Sequence, residues 1–285
     1  MSRETVTVVG AGTMGHGIAQ VAAMSGHPTR IYDVSEEVLK RADEAIRRNL
    51  DKGVEREKVT AAQRESTLEN LRFESYLEPA VTGSDIVIEA APESLDLKKN
   101  LFGEIETYVS ASAILATNTS SLPIGRIGED LNHPERVLGL HFFNPVHIMA
   151  LLEIVRATAT SEDVLSRAKA FGAGLGKECI VVRDVPGFAT SRLGLVIGLE
   201  AMRMVEQKVA SAEDIDKAMT LGYRHPVGPL KLTDMVGLDV RLAIAEHLHT
   251  ALGSEAFRPP EILRTMVEEG LLGKKAGRGF YDWTV

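Results

Sequence analysis

The chain opens with a strand-like run, a glycine-rich turn and a helical stretch, and this succession limits what it can fold into more than any other feature. Gly10-Ala11-Gly12-Thr13-Met14-Gly15 matches the spacing GxGxxG. It follows the β-rich TVTVV and leads into GHGIAQVAAM, and a second β-rich run, TRIYD, ends at Asp33, 23 residues beyond Gly10. That spacing is expected of a dinucleotide-binding βαβ unit. Gly10 permits the tight turn, Gly12 lets a pyrophosphate approach the backbone, and Gly15 lets helix pack closely on strand. Thr13 and Met14 complete the turn and belong with these glycines among the expected cofactor contacts. The helix after the turn offers unpaired N–H groups and the positive end of its dipole to phosphate. Asp33 would accept hydrogen bonds from a ribose diol and repel a 2′-phosphate, so NAD is favoured over NADP. The plainer alternative is an ordinary strand–helix turn with Asp33 as a helix cap.

Further strand candidates are Ile86–Ala90, Ile114–Asn118, Val137–Phe143, Leu151–Val155 and Cys179–Arg183. Several are continuous apolar runs, as in strands buried on both faces of a parallel sheet. With helical patterns between them, they predict an α/β fold with a Rossmann-type doubly wound sheet. Between Ser35 and Leu77 two charged, amphipathic, proline-free stretches predict an inserted helical hairpin between the second and third strands, with Gly53 near its tip, where a helix would end. Asp184-Val185-Pro186-Gly187-Phe188 breaks the alternation. Most of the chain beyond this break reads helical, and LGLVIGLEAMRMVEQ is apolar nearly all round, so it needs several packing partners. The expected domains are residues 1–185, NAD-binding, and residues 186–285, all-α.

Composition narrows the function classes. At 285 residues the chain is long enough for about two domains of roughly 150 residues. With 44% hydrophobic and 25% charged residues it is not a disordered chain, a fibre or a disulfide scaffold. Its formal net charge of −8 argues against nucleic acid or an anionic membrane as partner, though not against a small anion met by a local basic patch. No apolar run approaches the roughly 20 residues that span a bilayer. The N-terminal MSRETVTVVG is strand-like and lacks a signal-peptide layout. The single cysteine, Cys179, fits a reducing compartment, and a cytoplasmic protein without a metal site is expected.

Of eight histidines, His27, His133 and His225 precede prolines and read as loop residues, and His247 and His249 lie in a late helical stretch. His16 follows the glycine turn without an evident partner, and His147 has no assignment. His141 differs. It lies near the end of the apolar run VLGLHFFNP, where strand gives way to Asn144-Pro145. Ligands of open α/β sheets bind outside the carboxyl ends of the strands, and histidine suits proton transfer near neutrality. A satisfied core histidine is the alternative.

GAGTMGHGIA at Gly10–Ala19, IEAAPE at Ile88–Glu93, TNTSSL at Thr117–Leu122, GLHFFNP at Gly139–Pro145, Glu153, Pro186–Phe188 and KKAGRGFY at Lys274–Tyr281 occur in this order. Along essentially its whole length the chain resembles L-3-hydroxyacyl-CoA dehydrogenases of the short single-function kind. GLHFFNP with the upstream NTSS is the specific part. The resemblance implies NAD-linked oxidation of a 3-hydroxyacyl-CoA to the 3-ketoacyl-CoA, or its reverse, with short chains such as 3-hydroxybutyryl favoured. It implies that His141 is the catalytic base and Glu153 its partner carboxylate. Glu153 sits in the apolar run LLEIV, where an unpaired carboxylate is costly, so a partner is expected. Ser120 and Asn144 match positions that bond the reacting oxygen or orient the histidine. Glu93, Lys98 and Asn118 match positions lining the nicotinamide half of the cofactor. Otherwise they read as a helix-start acid, a solvated lysine and a strand-end turn residue.

One departure stands out. Relatives commonly carry an asparagine before arginine three residues after PGF, where this chain has Ser191 before Arg192. A hydroxyl replaces an amide, which puts the substrate contact of Ser191 in question. The resemblance also implies that the hairpin helps bind coenzyme A, which makes Lys52 and Arg56 candidate phosphate contacts, against the alternative of a solvated face. It implies a homodimer through the C-terminal domain. Other readings to separate are a 3-hydroxyadipyl-CoA-type dehydrogenase, a sugar-acid dehydrogenase of similar architecture, and a non-catalytic NAD-binding protein.

Overall fold

The computed structural model describes residues 3–284, so the outermost ends of the two expected domain spans, residues 1, 2 and 285, lie outside the described residues. The chain divides after Asp184 into two compact units.

In the first unit, β1 (Val6–Val9), α1 (Gly15–Met24) and β2 (Thr29–Tyr32) form the expected βαβ unit. Next come α2 (Glu36–Glu55), α3 (Ala61–Glu69), β3 (Leu71–Glu74), α4 (Leu77–Val81), β4 (Ile86–Glu89), α5 (Leu95–Glu106), β5 (Ile114–Thr117) and α6 (Ile124–Gly128). The unit closes with β6 (Val137–Phe142), β7 (Leu151–Arg156), α7 (Glu162–Gly174) and β8 (Glu178–Arg183). The eight strands make one sheet in the order β3-β2-β1-β4-β5-β6-β7-β8. All neighbours are parallel except β6 and β7. β1, β4, β5 and β6 are wholly buried, as their mainly apolar runs require.

The hairpin is present. Ser35 caps α2 by accepting from Val38 N, and Leu39, Ala42, Ile46 and Leu50 bury one stripe of it. Burying each of the larger aliphatic side chains among them is worth about 1.5–3 kcal/mol. Thr60 and Gln63 cap α3 reciprocally. Two details depart from the sequence reading. The third strand is LRFE, an edge strand directly after α3 that the apolar patterning did not single out. Gly53 lies inside α2, which runs on to Glu55. A Cβ there would lie 2.7 Å from Val59 Cγ2, so the glycine serves the close return of the hairpin rather than ending a helix.

The second unit contains α8 (Thr190–Glu206), α9 (Ala212–Lys217), α10 (Pro229–Val236), α11 (Leu238–Leu252) and α12 (Glu261–Glu268). Leu195, Leu199 and Met202 of α8 enter a core with Leu230, Leu238, Leu248 and Leu263. Two buried aspartates tie its loops. Asp216 accepts from Leu230 N and Lys231 N at the start of α10, and Asp234 accepts from Phe280 N, Tyr281 N and Trp283 Nε1. Leu193 and Ile197 of α8 remain exposed. Among the described residues, no helix is long and apolar enough to cross a membrane.

Candidate active site

Parallel strands β1, β4 and β5 end in register, β6 runs on past them to Phe142, and this end of the sheet, together with α2, brings most of the expected site residues to two cavities of the first unit. A cavity of about 350 Å³ is lined by Met14, Glu93, Lys98, Asn118, Ser120 and His141. A larger one, of about 700 Å³, has Thr13, Lys52, Arg56 and Asn144 in its lining.

The strand register gives His141, which lines the smaller cavity, its buried partner. His141 on β6 pairs directly with Glu153 on β7, so the two side chains share a face of the sheet. His141 Nδ1 lies 2.8 Å from Glu153 Oε2. A carboxylate only accepts, so Nδ1 carries the hydrogen and Nε2 is left as the basic nitrogen of the neutral ring. Glu153 is fully buried and His141 nearly so. The carboxylate expected to need a partner has one.

Around this pair lies a second polar cluster. Lys98 is almost fully buried, and its Nζ bonds Glu89 Oε1 at 2.6 Å and Ala91 O at 3.2 Å. Glu89, the last residue of β4 and fully buried, also accepts from Ala91 N at 2.5 Å and from Thr117 Oγ1 at 2.6 Å. The reading of Lys98 as a solvated lysine is therefore excluded. Glu93 gathers the loop after β5 by accepting from Thr119 Oγ1, from Ser120 N at 3.2 Å and from Ser121 Oγ at 3.2 Å. Lys98 Nζ lies 3.4 Å from its other oxygen. Asn118 Oδ1 accepts from Phe142 N at 2.9 Å, which ties the end of β5 to the end of β6 beside His141.

The glycine turn fits a dinucleotide. Gly10 has φ +101°, and a Cβ on it would lie 2.7 Å from Ala90 O. A Cβ on Gly15 would lie 1.7 Å from Gly10 O, whereas one on Gly12 would meet nothing within 4 Å. Two glycines are thus required by the fold, and the third leaves its backbone open to a ligand. No side chain caps α1 and no acid stands in its first turn, so its positive end is available to an anion. Asp33, at the end of β2, accepts from Ala11 N at 2.9 Å and Ser35 N at 3.0 Å. It braces the glycine turn, and a carboxylate has further lone pairs for ribose hydroxyls.

Ser191 belongs to the second unit, in the first turn of α8. Three functional candidates escaped sequence reasoning. Glu89 was signalled by an acid at the end of the apolar run IVIE, just as Glu153 is signalled by its place in LLEIV. His16 and His147, left without a role, both line the larger cavity.

Residues 5–185 match the family model described as 3-hydroxyacyl-CoA dehydrogenase, NAD binding domain, and residues 187–283 match that of the 3-hydroxyacyl-CoA dehydrogenase C-terminal domain. A probable 3-hydroxybutyryl-CoA dehydrogenase of Bacillus subtilis is 42% identical over 283 residues, covering 99% of this chain and 98% of that protein. The 3-hydroxyadipyl-CoA dehydrogenase of Escherichia coli is 41% identical over 98% of this chain, which spans 59% of that longer protein. The crystal structure of the (S)-3-hydroxybutyryl-CoA dehydrogenase of Ralstonia eutropha superposes with a TM-score of 0.95 at 39% identity, covering all of both chains. NAD is the cofactor indicated by the first of these domains. With both domains matched in order and relatives near 40% identity along the whole chain, this protein belongs to the 3-hydroxyacyl-CoA dehydrogenase family.

Proposed function

We propose that this protein oxidises L-3-hydroxyacyl-CoA to 3-ketoacyl-CoA with NAD, and catalyses the reverse, with short acyl chains such as 3-hydroxybutyryl preferred. The observation that carries the reading is His141, lining a cavity with Ser120, Asn118 and Lys98 and held from behind by the buried Glu153 at 2.8 Å. His141 Nε2 takes the proton of the substrate hydroxyl, and the buried Glu153 carboxylate stabilises the imidazolium so formed. Bound NAD supplies the hydride acceptor. Ser120 and Asn144 hold the reacting oxygen and orient the substrate, Ser120 on a backbone fixed by Glu93. In the reverse direction the imidazolium returns its proton to the oxygen as the ketone is reduced, so one residue is base and acid in turn.

The larger cavity receives the coenzyme A part of the substrate, with Lys52 and Arg56 facing phosphate. The apolar residues left exposed on α8 support a homodimer through the second unit. A single thiol suits a reducing compartment, and a cytoplasmic location is part of the same reading. The test is NADH oxidation over a panel of 3-ketoacyl-CoAs from acetoacetyl-CoA upward, with 3-oxoadipyl-CoA included because of the E. coli relative. Turnover of acetoacetyl-CoA with falling kcat/KM for longer chains is expected. Activity on a sugar acid with none on any acyl-CoA would overturn the reading.

A further inference from the structure

We propose that His16 and His147 form a proton-controlled anion site in the larger cavity, so that the affinity for the phosphates of the coenzyme A part falls as pH rises. This rests on the reading that the cavity receives coenzyme A. The cavity is basic in an acidic protein. Lys52, Arg56, Lys58, His16 and His147 line it, and none of its lining residues is an acid. Three of these five groups are lysine or arginine side chains. The other two belong to the side chain whose ordinary titration falls between pH 5 and 8.

The bonding of His16 makes its response directional. Its Nδ1 lies 2.8 Å from Gly12 O. A carbonyl only accepts, so Nδ1 holds the hydrogen and the neutral ring keeps a lone pair on Nε2. That lone pair repels an anionic oxygen. Protonation turns Nε2 into an N–H donor of a cationic ring, so one proton reverses the sign of the interaction. His147 stands on the turn after β6, fastened by Lys177, whose Nζ donates to Val146 O at 2.5 Å and to Met149 O at 2.7 Å. Desolvation first, then the positive charges of His16 and Lys177, hold the His147 imidazole below the usual histidine range. The groups acting on His147 thus come from α1 and from the turn between α7 and β8, and none of them is an acid. A bound phosphate offsets that mutual repulsion, so ligand binding takes up protons and is tighter at low pH.

The experiment titrates the full-length protein with coenzyme A at pH 5.5, 6.5 and 8.0 by calorimetry. The native protein is compared with His16→Gln, His147→Gln and the double variant. The comparison cancels the titration of the ligand's own phosphate. The ratio of Kd at pH 8.0 to Kd at pH 5.5 should be about tenfold larger for the native protein than for the double variant, with each single variant between them. Native protein should also take up more protons on binding at pH 6.5, read from buffers of different ionisation enthalpy. Equal ratios and equal proton uptake in native and single variants would overturn the inference while leaving the proposed function standing. Absence of coenzyme A binding at every pH would overturn both.

Discussion

His141 and Glu153 face each other in register across the antiparallel β6–β7 pair, with Nδ1 2.8 Å from Oε2. Both residues sit on buried strands rather than on loops, so the backbone ladder sets their separation before any ligand arrives. The carboxylate also sets the tautomer, because it can only accept. The basic nitrogen is therefore aimed by the fold, which meets in advance most of the orientation cost of the proton transfer proposed for it.

The first prediction concerns this pair. His141→Ala should lower kcat for NADH oxidation with acetoacetyl-CoA by about 10²–10⁴-fold and leave NADH binding intact, read by cofactor fluorescence. Glu153→Gln should also lose about 10²–10⁴-fold, because an amide no longer enforces the Nδ1–H tautomer or stabilises the imidazolium. Near-native turnover by the alanine variant would remove His141 from the mechanism.

Lys98 and Glu89 carry a second prediction. Both side chains are essentially buried, and their charged atoms are 2.6 Å apart. Lys98→Met leaves the fully buried Glu89 carboxylate without its cation, which should cost about 3–5 kcal/mol in chemical denaturation. Lys98→Met with Glu89→Leu removes both charges and should recover part of that loss. A double variant as unstable as the sum of the single changes would mean the pair is not coupled.

The features legible in the sequence were those that depend on short separations. The Gly10–Asp33 unit spans one βαβ, and Glu153 announced itself as an acid in an apolar strand. The same logic reaches Glu89. The partner of Glu89 was not legible, because Lys98 meets it only when α5 folds back over the end of β4. LRFE escaped because it is short, half charged and at the sheet edge, where one side needs no apolar residue. The antiparallel β7 could have been inferred. Only eight residues separate Phe142 from Leu151, too few for a parallel crossover. Gly53 misled because a glycine in a charged helix reads as a stop, whereas here it makes room for Val59.

Asp33 supports a prediction about cofactor choice. Its carboxylate is braced by Ala11 N and Ser35 N, so it is fixed beside the glycine turn. It should favour NADH over NADPH, since a 2′-phosphate would meet a negative charge. Asp33→Ser should lower kcat/KM for NADH by about 10–10²-fold, the worth of one charged hydrogen bond, and narrow the preference. An unchanged NADH to NADPH ratio of kcat/KM would show that Asp33 serves only the turn.

The exposed apolar side chains of the second unit predict a dimer. Leu193 and Ile197 are one helical turn apart on α8 and are 62% and 36% exposed, and Met235, Val236 and Val240 add to the exposed apolar surface of that unit. Sedimentation velocity at micromolar concentration should give a dimer for the native protein and a monomer for Leu193→Glu/Ile197→Glu. A native monomer would rule out this interface.

Glu106 should make the fold sensitive to acid. Burial raises the pKa of this carboxyl, but bonds from Asn132 N, Arg136 Nη2 and His133 N outweigh it and hold the group below the usual carboxylate range. A depressed folded-state value means that the unfolded chain takes up the proton first as pH falls. The stabilisation is therefore complete above the ordinary carboxyl range and is lost as pH drops toward the folded value. Arg136 and Glu106 are 3% and 9% exposed, so Glu106→Gln should cost about 3 kcal/mol at pH 7 by leaving a buried guanidinium without its anion. The gap between native and variant should shrink when urea denaturation is repeated near pH 4 and below. A gap of the same size at both pH values would show that Glu106 acts through shape and not through charge.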